Sequence, residues 1–245
     1  MSIPLHEDTR FANQSLYWTG SDTKELWQKN MNDTNNYYFF KKNGWDDEFA
    51  ITYEVNSHGF RYREFDEFPP YIAVGCSFTS GIGLPVEKTW PHLLSTFINM
   101  PIANLGIGGA SLDTCFRIIE YYITNFSVLG VFLLEPELTR FELFYDNKPQ
   151  NLLPGYDGYD GYKERPFYKT WITSEDNMKY NVMKNRYAIQ HVCNINSVHL
   201  LSSPMIHTDP ADDIIDLARD LMHFGPLHQK KIANTFLEKF NALNK

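Results

Sequence analysis

A three-layer α/β/α sandwich around a flavodoxin-like, mostly parallel sheet is the fold this sequence predicts, and two observations predict it. From Tyr71 onward short apolar runs alternate with stretches of helical period, the pattern of parallel strands joined by crossover helices. The chain is also long enough, at 245 residues with 43% hydrophobic and 16% aromatic content, to bury one large core plus an appendage.

The first 65 residues differ in texture, being rich in Asn, Asp, Tyr and Trp, with helical periodicity confined to about 23–31. They read as an extension packed on a main α/β domain that occupies 66–245. Within the extension, 50–55 alternates at period two and runs into Asn56-Ser57-His58-Gly59, an edge strand followed by a turn. Four parallel strands follow at 72–75, 102–105, 130–134 and 198–202, each a short apolar run. The helices between and after them span 86–98, 111–123, 178–193 and 226–243. In the second helix Leu112, Cys115, Phe116 and Ile119 share one face, and Pro226 opens the last helix, where a missing N–H is harmless.

Between Phe144 and Asn177 the pattern gives way to Pro149, Pro154, Pro166 and a Gly/Tyr/Asp tandem, which reads as an inserted loop. Its Tyr156 and Tyr159 are suited to stacking on sugar faces and bonding hydroxyls, so they are candidate substrate-binding residues, beside the plainer reading of a surface loop. Asp157 and Asp160 lack the further ligands that calcium requires.

Composition narrows the function. With 30 acidic against 22 basic residues the formal net charge is -8, and no Lys/Arg run can neutralise a row of phosphates, so nucleic acid and anionic membrane surfaces are poor partners. A small neutral or sugar-like substrate fits better. The N-terminal residues lack a basic stretch followed by an apolar run, and no segment is long enough to span a bilayer, which predicts a soluble protein. Cys76, Cys115 and Cys193 are odd in number and widely spaced in apolar surroundings, as buried reduced thiols are, with no zinc spacing.

The chemistry concentrates after the first parallel strand, in Gly75-Cys76-Ser77-Phe78-Thr79-Ser80-Gly81, where open α/β sheets gather their ligands. A serine hydroxyl is a poor nucleophile without a base to take its proton. Of the eight histidines only His223 has an acid three residues before it, Asp220, a spacing that lets the carboxylate accept from Nδ1 and leaves Nε2 for Ser77. Together they read as a serine hydrolase. The plainer readings are a helix-capping Ser77, a surface His223 with a solvated Asp220, and a tight turn at Gly106, Gly108 and Gly109. Cys76, adjacent to Ser77, should point the other way, into the core.

These residues resemble the SGNH hydrolases, or GDSL-type esterases and lipases, over 56 to about 236. Gly75-Cys76-Ser77 stands where the family has Gly-Asp-Ser, with Thr79 and Gly81 following, and the resemblance implies that Ser77 is the nucleophile and its N–H one oxyanion donor. Asn104-Leu105-Gly106-Ile107-Gly108-Gly109 resembles the second block and implies Gly109 as the next donor. Asp220 to His223 resembles the last block, with His228 and Ala233 also matching, and Asn56 to Arg61 resembles the strand and turn preceding the first block in bacterial and phage-encoded members, which suggests a cytoplasmic or phage-associated setting. The third block departs. Where the family carries Gly-x-Asn-Asp, this chain reads Leu134-Glu135-Pro136-Glu137-Leu138-Thr139-Arg140. Losing an oxyanion donor typically costs about 100 to 1000-fold in turnover, so either Thr139 or Arg140 contributes in its place or the site is slow or silent. Glu137 is expected to face away from the site and pair with Arg140.

The resemblance implies hydrolysis of an ester, most simply an O-acyl or O-acetyl group on a carbohydrate, with no metal and no organic cofactor. Two other classes stay open. One is a catalytically silent carbohydrate-binding or structural module. The other is a flavodoxin-like binder in which Ser77, Thr79, Ser80 and Gly81 cradle a phosphate.

Overall fold

The computed structural model describes residues 11–65, 69–145, 148–153, 170, 174–205 and 216–243. Its centre is a sheet of four parallel strands, β3 (Tyr71–Val74), β4 (Ile102–Asn104), β5 (Gly130–Glu135) and β8 (His199–Pro204), in the order β4-β3-β5-β8. Tyr71 lies beside both Ile102 and Gly130, and Gly130 beside His199. Every residue of β5 is buried, as a strand covered on both faces requires.

The helices cover the sheet in two pairs. Helix α4 (Trp90–Ile98) packs with α7 (Pro226–Leu243), and α5 (Leu112–Asn125) packs with α6 (Glu175–Ile195). Each pair follows from an apolar stripe: Ile118, Ile119, Tyr122 and Ile123 are buried on α5, and Ile232, Ala233 and Phe236 on α7. The chain moves from β3 outward to β4, then crosses back to β5 on the other side of β3. That reversal opens a crevice beyond the carboxyl end of β3, the position where open α/β sheets bind ligands.

The N-terminal segment builds a second, smaller core. It contains β1 (Gln14–Leu16), α1 (Lys24–Met31), α2 (Thr34–Asn43) and β2 (Tyr53–Val55), with β1 and β2 paired antiparallel as a ribbon of their own. Phe40, Trp45, Ile51 and Tyr53 are buried there together with Ile82, Leu84 and Ala218. The last three belong to two loops of the main domain, so the extension packs where those loops meet.

The four parallel strands and their helices lie where the sequence places them, with shifts of one to three residues at the ends. The stretch expected as one helix over 86–98 divides into a 3-10 turn, Val86–Lys88, and α4. Helix α2 was not expected: its Tyr-Tyr-Phe-Phe block hides the period, and it is set by its ends, with Asp33 capping Asn35 and Asn36 N–H groups and Gly44 closing it in the left-handed region at φ 71°. Part of the stretch expected as an inserted loop is regular, because Phe141–Tyr145 (β6) and Lys148–Leu152 (β7) form an antiparallel hairpin, while 154–169 and 171–173 lie outside the described residues. Pro149 is tolerated in β7 because a two-stranded ribbon leaves half of its N–H groups unpaired.

Candidate active site

Val74 ends β3, and the chain turns through Gly75 and Cys76 into a single helical turn, α3 (Ser77–Ser80). Thr79 and Ser80 N–H groups both bond to the Cys76 carbonyl, at 2.9 and 3.0 Å, which fixes Ser77 at the head of the turn. Three side chains from distant elements hold this loop. Asn104 Nδ2 donates to Thr79 O at 2.9 Å, Gln229 Nε2 to Phe78 O at 3.0 Å, and Arg61 to the carbonyls of Gly81 and Leu84 at 2.6 and 2.7 Å. Gly106 permits the approach of the next loop, since a Cβ there would stand 2.3 Å from Ser80 N. Cys76 is fully buried, with Sγ 4.0 Å from Met205 Sδ, and so faces the core.

Ser77 Oγ lies 2.7 Å from Nε2 of His223, and Nδ1 of His223 lies 2.5 Å from Oδ2 of Asp220. With a proton on Nδ1 directed at the carboxylate, Nε2 is left to accept from the serine hydroxyl. Asp220 and His223 sit in a loop that folds on itself: Asp220 Oδ1 accepts the N–H groups of Met222 and His223, each at 3.1 Å, and Ala218 N–H bonds to His223 O at 2.9 Å. The imidazole rests on Phe78, ring centroids 4.8 Å apart. Asp216 then caps α7 by accepting from the N–H groups of Leu227 and His228.

Three residues that the sequence did not single out complete the surroundings. Ser21 Oγ donates to Asp220 Oδ2 at 2.6 Å, and Asp22 forms a fully buried ion pair with Arg219, Nη2 to Oδ2 2.7 Å. Tyr53 donates to the same Asp22 oxygen at 2.5 Å and accepts from Gly83 N–H at 2.8 Å, while the Arg219 guanidinium lies 4.2 Å from the Trp18 ring centre. Nothing in the local sequence signals the Ser21–Asp220 and Asp22–Arg219 contacts, because they join positions nearly 200 residues apart. Burial alone would raise the Asp220 carboxyl, but the hydrogen bond and charge of His223, with the bonds from Ser21 and Met222 N–H, outweigh it and hold it below its ordinary value.

Ser77 and His223 open onto a cleft of about 1110 Å³ that Gly108, Gly109, Ser21, Arg140 and Lys148 also line. Neither the Ser77 nor the Gly109 N–H bonds to another described residue, so both donors are available. Of the pair expected to stand in for the third-block asparagine, Arg140 lines the cleft, while Thr139 is exposed on the turn and does not. That turn follows the buried end of β5, and of residues 137–140 only Arg140 is buried. Glu137 pairs with Arg140, Oε2 to Nη2 3.3 Å, but it also lines the cleft instead of facing away from it. Tyr156 and Tyr159 lie outside the described residues. Among the described residues no cluster of three or more His, Cys, Asp or Glu could hold a metal ion, and no helix is long and apolar enough to cross a membrane.

No protein-family model matches the chain, and no curated protein matches it. Solved structures to which it is similar include that of TesA, at 11% identity and TM-score 0.45 over 71% of this chain and 98% of that one. Another is a member of the lipolytic G-D-S-L family from Veillonella parvula, at 19% identity and TM-score 0.38 over 70% and 97% of the two chains. A third is a family 3 carbohydrate esterase from Clostridium thermocellum, at 16% identity and TM-score 0.36 over 71% and 98%.

Proposed function

We propose that the chain is a serine ester hydrolase in which Ser77, His223 and Asp220 form the catalytic triad. The observation that carries this reading is the continuous contact from Ser77 Oγ to His223 Nε2 and from Nδ1 to Asp220 Oδ2, located at the carboxyl end of β3 and open to the cleft. Ser77 Oγ attacks the ester carbonyl while His223 Nε2 takes its proton, and Asp220 stabilises the imidazolium that forms. The tetrahedral oxyanion accepts from the N–H groups of Ser77 and Gly109. His223 then returns the proton to the departing alcohol, leaving an acyl-serine. Water, deprotonated by the same imidazole, releases the acid and restores the hydroxyl.

The substrate we infer is an O-acylated carbohydrate, most simply an O-acetyl sugar. The roomy cleft is lined by polar side chains such as Ser21, Arg140, Lys148 and Gln150 beside apolar ones such as Leu16, Phe78 and Ile82, which supports a polar alcohol portion, and the Tyr-rich stretch at 156–162 supplies residue types that stack on sugars. A second reading rests on the sequence after β5, where no asparagine follows the strand: a silent module that binds a glycan ester without turning it over. Labelling with a fluorophosphonate, followed by peptide mass spectrometry, separates the two. The hydrolase reading expects an adduct on Ser77 that is absent in Ser77→Ala and lost or greatly slowed in His223→Ala. A folded protein that takes up no label would remove the hydrolase and leave the binding module.

A further inference from the structure

The cleft contains a guanidinium whose donors are mostly unspent. Arg140 is 92% buried, yet its Nε and Nη1 meet no acceptor among the described residues, and Nη2 has only Glu137, at 3.3 Å. A charged group so covered is costly unless its N–H groups are satisfied, and an unpartnered buried guanidinium at the wall of a binding cleft calls for an acceptor that the described residues do not supply. Glu137 is a weak partner, half exposed and touching one nitrogen. The two other arginines buried near the site differ: Arg61 spends Nη1 and Nη2 on backbone carbonyls, and Arg219 spends its guanidinium on Asp22, Tyr17 O and Glu48 O.

The wall around Arg140 is polar over more than the width of one oxygen. Lys148 and Gln150, two apart on β7 and therefore on one face of the ribbon, line the same cleft. Their strand is firmly placed. Arg117 on α5 grips Glu142 of β6 with two bonds, at 2.8 and 2.7 Å, and Thr114 Oγ1 lies 2.8 Å from both Glu142 Oε2 and Asn151 Oδ1. Among the described residues of this wall, Arg140 and Lys148 stand against the carboxylate of Glu137 and leave one net positive charge, in a chain whose formal net charge is -8.

We infer that Arg140, assisted by Lys148 and Gln150, binds a carboxylate carried by the substrate, so that the preferred ester is one whose alcohol or acyl portion is acidic, such as an acylated sugar acid. This rests on the hydrolase reading for the chemistry but not for the binding. The guanidinium is planar, permanently charged and matched to two carboxylate oxygens, which a lone oxyanion would not require.

The test uses a matched pair of esters, 4-acetoxybenzoate and its methyl ester, which differ only in whether a carboxylate is free. The wild-type protein should prefer the free acid by about tenfold or more in kcat/KM, and Arg140→Gln should bring that ratio close to one, the expected size for loss of a charge-assisted contact. Arg140→Lys, which keeps the charge, should retain part of the preference and guards against a misfolded glutamine variant. A wild-type ratio near one, or a ratio unchanged in Arg140→Gln while both rates fall alike, would overturn the proposal and leave Arg140 as an oxyanion donor. Binding of 4-acetoxybenzoate to the Ser77→Ala protein, followed by calorimetry with and without the Arg140→Gln change, reads the carboxylate site without turnover. Arginine-dependent binding in a protein that fluorophosphonate does not label would retain the site and discard the hydrolase. Binding indifferent to Arg140 would discard the site alone.

Discussion

Ser21 donates its hydroxyl proton to Oδ2 of Asp220 at 2.6 Å, the same oxygen that faces Nδ1 of His223. The carboxylate is therefore held from both sides, by the histidine it orients and by a serine from the N-terminal segment. Its other oxygen takes two backbone N–H groups, so every direction in which the side chain could rotate away is opposed.

Ser21 is on this geometry a positioning residue. Ser21→Ala should lower kcat about tenfold with KM little changed, the size expected when a hydrogen bond to a charged group is lost. Ser21→Thr, which keeps the hydroxyl, should recover most of the rate. Steady-state kinetics on a neutral aryl acetate would decide it, and a loss that threonine fails to recover would assign Ser21 to packing alone.

Asp22 and Arg219 form a pair with side chains 1% and 0% exposed, so removing one partner strands the other in the interior. Asp22→Asn should cost about 3–5 kcal/mol in urea unfolding. A loss under about 1 kcal/mol would mean that Tyr17 O, Glu48 O and the Trp18 ring suffice for the guanidinium.

Asp220 should make stability pH-dependent on the acid side. Its carboxyl is held below the ordinary value in the folded state, so its contribution is fully present above the unfolded value of about 3.9 and disappears as pH falls through the folded one. Urea midpoints measured between pH 5 and pH 2.5 should therefore fall more steeply for the wild type than for Asp220→Asn. Parallel curves would show that the carboxylate gains nothing from its partners on folding.

Gly83 is where the two loops of the site touch, its carbonyl accepting from Arg219 N–H at 2.9 Å. Its φ is +75°, and a Cβ there would stand 2.9 Å from Ala218 Cβ and 3.1 and 3.2 Å from the backbone nitrogens of Arg219 and Asp220. Gly83→Ala should thus displace the Asp220 loop and slow fluorophosphonate labelling of Ser77, with a stability loss of at least about 1 kcal/mol from the backbone conformation alone. Labelling at the wild-type rate would show that the loop accommodates the methyl group without moving Asp220.

The parallel strands and their helices were legible because each is an apolar run or stripe of a length that fits its element, and Pro226 marked its helix start to the residue. Ser77 and the Asp220–His223 pair were legible from local texture, a strand entering a small-residue turn and an acid three positions before a histidine. Helix α2 was hidden by aromatic residues on all its faces, only Phe40 of which is buried. Ser21, Asp22 and Arg219 were hidden for a different reason. A contact between positions 21 and 220 is decided by how the extension wraps, and neither serine nor aspartate in an irregular segment reveals its partner. Thr139 and Arg140 were adjacent candidates in sequence, and only the course of the turn after β5 separates them.

The small core formed by Phe40, Trp45, Ile51 and Tyr53 with Ile82, Leu84 and Ala218 is separate from the larger apolar interior around the sheet. The sheet and its four helices share that larger interior, which residues 11–55 do not enter, so detachment of that segment is expected at a free energy below that of global unfolding. Detachment would release Ser21 from Asp220 and Asp22 from Arg219 while leaving Ser77 on an intact strand. Activity would then be lost at lower denaturant than secondary structure, and residues 11–55 would act as a latch whose closing assembles the site.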